Sequence, residues 1–248
     1  LKYILILLLL PTVLNAQVYT EEQWVSLYLR DCGNLTEEYA CKQNLEKQLG
    51  LMYAYGDFIT RELKSAGLSP RFAFIPLVES GYKEKAISED GALGLWQLMP
   101  YHIKESKTRE VEFFGRKIEI VPTDEKVTQY GLNAVLNTEV AIDHLLMLYK
   151  SFRYENGDTE RYIIMAYNGG RTMMNNHIYK SGKIPDESLN YYNRYMAVHH
   201  IVKHMRLYRI KPMTHEKIPL WVRIKDLVGI QYDEERNARD KLISSILG

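Results

Sequence analysis

Apolar residues recur at helical spacing along most of the chain. Between residues 36 and 67 they fall at Leu45, Leu49, Met52, Tyr53, Phe58, Ile59 and Leu63, which predicts one long amphipathic helix. Gly67 closes it. Ser69-Pro70 then opens a helix over 70–81 in the cap-then-proline order. That helix carries Phe72, Phe74, Ile75, Leu77, Val78 and Glu79. Similar patterns predict helices over 20–31, 95–104, 133–152, 159–168, 171–181 and 187–208. A loop with Gly91 and Gly94 precedes the second of these. Residues 111–121 alternate apolar and polar around Gly115 and are the one convincing hairpin. Pro212 and Pro219 break the chain, and the tail holds two short helical patterns. There is no internal repeat. The expected fold is mainly α: one helical body with a small β-hairpin insertion and two flanks.

The first 16 residues follow a different rule. Lys2 precedes the apolar run 3–10, then come Pro11 and the small residue Ala16. This order reads as a secretory signal peptide. Export would bring the chain into an oxidising compartment, where the two cysteines, Cys32 and Cys41, are expected to pair and staple the N-terminal helices. Two cysteines with no nearby His make a poor metal site. The expected organisation is therefore 1–16 signal peptide, 17–69 helical flank, 70–205 main domain and 206–248 tail.

Charge narrows the partners. The chain has 32 Lys and Arg against 31 Asp and Glu. Loss of residues 1–16 would remove one of the 32 and balance the two. No basic excess is available for nucleic acid. Tyr numbers 19 against 6 Phe and 3 Trp. A Tyr offers a flat apolar ring and a polar tip, which suits a wet groove for a polar ligand.

One carboxylate stands out. Glu79 follows the apolar stretch 74–78, and such surroundings raise a carboxyl pKa and keep the acid able to donate. Glu79-Ser80-Gly81-Tyr82 is followed by Gly91-Ala-Leu-Gly94-Leu95-Trp96-Gln97-Leu-Met99-Pro100. Later come Ala166-Tyr167-Asn168-Gly169-Gly170 and Glu187-Ser-Leu-Asn-Tyr191. These segments, in this order over residues 70–205, resemble the lytic transglycosylases that cut bacterial cell-wall glycan. Trp96 replaces the usual Met, as in the membrane-bound D-type subgroup.

The resemblance implies a lysozyme-like helical domain and a set of roles. Glu79 takes the place of the single catalytic acid, with Ser80 beside it. Ser88 matches a serine near the reacting sugar. Gly91, Gly94, Leu95, Gln97 and Met99 match the loop that walls the groove. Tyr167 and Asn168 match the motif whose tyrosine faces the catalytic Glu, while Glu187 and Tyr191 close the far side. The implied reaction is cleavage of the MurNAc-GlcNAc β-1,4 bond with a 1,6-anhydro end. The sugar's own C6 hydroxyl is the nucleophile, so water and a second carboxylate are not needed, unlike an ordinary glycosidase. The implied partner is the peptidoglycan glycan strand, in the periplasm or outside a bacterial cell. No metal and no other cofactor is implied. His200 and His204 have i, i+4 spacing but lack the companion residues of a metal motif. A monomer is expected, with the flanks available to dock secretion or cell-wall machinery.

Departures touch the groove rim. Asn133-Ala134-Val135 stands where relatives carry an Asp-Pro-Arg type stretch, with Asn137 matching a following Asn. The hairpin is an addition or an enlargement at this point, and no wall-binding repeat is seen after residue 205. Two other readings share the scaffold: a lysozyme-like hydrolase with a water held by Glu89 or Asp90, and a non-catalytic wall-binding component.

Overall fold

The computed structural model describes residues 35–106, 109–113, 116–120, 123, 126–153 and 158–213, together with 20, 23, 25 and 26. The expected signal peptide, most of the expected 20–31 helix, the expected Cys32–Cys41 pairing and the tail from 214 onward lie outside the described residues.

Helix α1 spans Leu35–Ser65. Its Leu45, Leu49, Met52, Tyr55, Ile59 and Leu63 are all buried, so the predicted apolar stripe faces the core. It ends as the composition dictates. Gly67 takes a left-handed φ of 72°, and Leu68 N donates to Leu63 O at 2.9 Å, which satisfies an end carbonyl.

The segment predicted as one helix over 70–81 is instead two short pieces. A 3-10 turn, Pro70–Phe74, is capped by Ser69 and leads into α2, Ile75–Glu79. Pro76 explains the division, because it has no N–H to bond back and its ring crowds the preceding turn. Glu79 is therefore the last residue of α2. The chain then turns sharply: Gly81 and Tyr82 both have φ of 62°. The strain at Tyr82 is offset by a fully buried ring whose hydroxyl donates to Ala73 O at 2.6 Å.

The helix predicted from residue 95 begins later. Helix α3 spans Pro100–Glu105. Before it, Leu93 and Leu98 exchange hydrogen bonds of 2.9 and 3.1 Å and close a tight turn. Gln97 lies at φ 47°, and Met99, preceding proline, is extended. Neither position can continue a helix.

Strands β1, Arg109–Phe113, and β2, Arg116–Ile120, form the expected antiparallel hairpin with Val111 opposite Ile118. Helix α4 is Val127–Gly131 and α5 is Ala134–Phe152. Asn133 caps α5 by accepting from Val135 N and Leu136 N, both at 3.1 Å. Helices α6, Thr159–Gly169, α7, Arg171–Lys180, and α8, Asp186–Lys203, complete the body. Helix α8 stops earlier than its apolar pattern suggests. The chain turns after His204, and Ile210 returns to the core. Lys211 N and Met213 N then bond Glu46 on α1 at 2.8 and 2.9 Å.

Helix α6 is the hub. It packs on α5, α7 and α8, and its Ile163, Ile164, Met165 and Ala166 are fully buried. The stripe of α1 joins the same core, so the described part of the expected flank packs against the body. Among the described residues no helix is long and apolar enough to cross a membrane.

Candidate active site

Three elements converge on Glu79. Helix α2 supplies the carboxylate at its C-terminal end. Helix α8 supplies Tyr191, whose hydroxyl donates to Glu79 Oε1 at 2.7 Å. Helix α6 supplies Tyr167, close enough for the charge of Glu79 to raise its pKa. One turn beyond Tyr191, the exposed Arg194 also acts on Glu79.

The electrostatics are those of an acid that holds its proton. Burial raises the Glu79 pKa from 4.5 to about 7. The Tyr191 hydrogen bond and the Arg194 charge oppose this but do not cancel it. Desolvation is therefore the dominant effect. Both tyrosines are pushed well above their ordinary pKa, first by burial and then by Glu79. They remain protonated donors.

The loop beside Glu79 is held from three sides. Ser80 Oγ donates to Leu95 O at 2.8 Å and ties the end of α2 to the loop. Tyr167 donates to Trp96 O at 2.7 Å. Asn137, buried on α5, accepts from Trp96 N at 2.9 Å and donates to Leu93 O at 3.1 Å. Thr138 accepts from the Trp96 indole at 2.9 Å. Gly94 fits because its φ is 77° and a Cβ there would strike Gly131 O and the Asn137 side chain.

The expected site residues divide into groups. Tyr191 bonds Glu79 directly, and Tyr167 lies within range of the Glu79 charge. Gln97 folds back on its own loop, donating to Gly94 O at 2.9 Å. Leu95 is 0% exposed, so its side chain packs in the core, and its carbonyl accepts from Ser80. Met99 is half-buried just before α3. Ser88 closes a turn, with Oγ accepting from Ala92 N at 2.9 Å, and Gly91 completes that turn with φ of 83°. Asn168 accepts from the buried Ser188 at 3.0 Å and ties α6 to α8. Glu187 is exposed on the first turn of α8, one turn before Tyr191.

Glu84, Glu89 and Asp90 are not among the groups that act on Glu79. Glu84 accepts from Tyr55 at 3.2 Å, Lys85 at 3.3 Å and Ala134 N at 3.4 Å. It braces the start of α5. Glu89 and Asp90 are exposed in the turn after Ser88. The groups that act on the Glu79 carboxyl, among the described residues, include no second acid.

Arg194, Thr138 and the clamping role of Asn137 are not apparent from the motifs. Two adjacent polar residues, Asn137 and Thr138, at the start of an apolar helix were the available signal.

The family model described as the transglycosylase SLT domain matches residues 57–190, more than half of the chain. No curated protein matches.

Proposed function

Because the chain belongs to the transglycosylase SLT domain family, we propose that it is an exported lytic transglycosylase, of the membrane-bound D-type subgroup, acting on the glycan strands of peptidoglycan. The observation that carries this reading is one half-buried carboxyl with a pKa of about 7 and no acid beside it among the described residues.

The chemistry follows from that carboxyl. Protonated Glu79 donates to the glycosidic oxygen as the C1–O bond of MurNAc breaks, and the leaving strand departs with a free hydroxyl. The sugar's N-acetyl oxygen stabilises the electron-poor C1. Glu79, now ionised, accepts the proton of the same sugar's C6 hydroxyl as that oxygen bonds to C1. The product is a 1,6-anhydro end, and Glu79 is again protonated. No water enters. A single group serves as acid and base only if its pKa lies near the working pH. Tyr191 stabilises the ionised intermediate state through its 2.7 Å hydrogen bond. Ser80, Asn137 and Tyr167 hold the loop wall at a fixed distance from Glu79. Residues 1–16 would deliver the protein to the cell envelope.

Mass spectrometry of digested, purified peptidoglycan tests the reading. Anhydro ends are expected, and Glu79→Gln should abolish them. Reducing ends in their place would assign a hydrolase.

A further inference from the structure

Helix α8 carries a charged stripe past the acid. Glu187, Tyr191 and Arg194 stand at i, i+4 and i+7, a spacing that puts them on one helix face. The middle member fixes where that face points, because the Tyr191 hydroxyl donates to Glu79 Oε1 at 2.7 Å. Arg194 lies close enough for its charge to act on Glu79. Glu187 and Arg194 are both exposed, and about 10 Å of helix rise separates them. Along α8, an anion thus precedes Tyr191 and a cation follows it.

Fold stability does not account for Arg194. Among the described residues it makes no hydrogen bond or ion pair, whereas Arg71 and Arg161 pair with Glu160 and Asp158 at 3.3 and 3.9 Å. Its charge lowers the Glu79 pKa and so opposes the protonated form from which the reaction starts. An unpaired guanidinium is a ready receptor for a carboxylate, which it holds through two parallel N–H donors. A bound carboxylate offsets the Arg194 charge felt by Glu79 and removes that opposition. The glycan strand supplies such a group on only one of its two sugars. MurNAc carries a lactyl arm that ends in an acid or in the peptide stem, and GlcNAc has no acid. Glu187 repels a carboxylate at the other end of the stripe. The polarity of α8 therefore directs the acidic sugar toward Arg194.

We propose that Arg194 is a specificity-determining residue that binds a carboxylate carried on the lactyl arm of MurNAc, either the arm's own or one of the peptide stem. This rests on the glycan reading above and deepens it. Strands whose carboxylates are capped keep the same sugar rings and lose this contact.

The test is calorimetric titration of the Glu79→Gln protein with soluble glycan strands of equal length. The ligands are peptide-free strands with free lactyl carboxylates, the same strands with those carboxylates capped as methylamides, and peptide-bearing strands. Peptide-free strands should bind about tenfold tighter than capped ones, and adding Arg194→Gln should erase the difference. Arg194→Lys should keep part of it, since it retains the charge without the paired donors. A loss on Arg194→Gln confined to peptide-bearing strands assigns the carboxylate to the stem. Unchanged affinity for both carboxylate-bearing strands overturns the proposal, as does an equal loss for capped and uncapped strands or failure of every strand to bind. Arg194 is exposed, so thermal melts should show both variants folded. The two readings fail separately. Carboxylate-dependent binding without anhydro ends from the wild-type enzyme leaves the receptor and removes the reaction. Anhydro ends with Arg194-independent binding do the reverse.

Discussion

Glu79→Gln should stabilise the fold, and only above a defined pH. The folded carboxyl titrates near 7 and its ordinary value is 4.5. Between these values the folded state holds a proton that the unfolded state has released. Stability therefore falls as pH rises through that window. A tenfold change in proton affinity corresponds to about 1.4 kcal/mol, so the full effect is about 3 kcal/mol above neutrality. The amide has no charge to bury, and its oxygen can still accept from Tyr191. The variant should match the wild type near pH ~4 and exceed it by about 2 to 3 kcal/mol near pH ~8. Urea unfolding of both proteins at several pH values measures the difference, and other titrating groups cancel in it. A stability difference that stays flat between these pH values would refute the claim that desolvation sets the Glu79 pKa. A variant less stable than the wild type at the alkaline end would refute it equally.

Tyr191→Phe removes the hydrogen bond that lowers the Glu79 pKa. The alkaline limb of the activity profile should move up by roughly half to one pH unit, read from initial rates of peptidoglycan clearing. Asn137→Ala strips a buried partner from Trp96 N and Leu93 O. It should cost about 2 to 4 kcal/mol and lower activity, as thermal melts and clearing assays would show. Two glycines of the loop should respond differently. Gly94→Ala meets both a left-handed φ and the Gly131 carbonyl, so it should lose several degrees of Tm or fail to fold. Gly91→Ala has open space around it and should lose only about 1 to 2 kcal/mol from backbone strain.

Much of this protein is legible in its sequence because the signals are local. The buried stripe of α1, its Gly67 terminus, the Ser69 cap and the pairing of β1 with β2 each depend on residues close to one another in the chain. Glu79 is legible for the same reason, since its apolar approach lies in the preceding five residues. The predicted helices fail where a proline or a positive φ intervenes. Pro76 splits the segment before Glu79, and Gln97 with Pro100 delays the start of α3.

The site itself is not local. Tyr191 reaches Glu79 across 112 positions of chain, and Tyr167 reaches Trp96 across 71. Sequence alone determines that a helical body carries an acid in apolar surroundings, together with the motif residues that resemble a wall-cutting enzyme. Tertiary structure decides which tyrosine bonds the acid, that Leu95 lies in the core, and that Asn137 clamps the loop. It also decides the size of the acid's pKa shift, because desolvation depends on everything that packs around the carboxyl, distant helices included, and not only on the residues beside it in the chain.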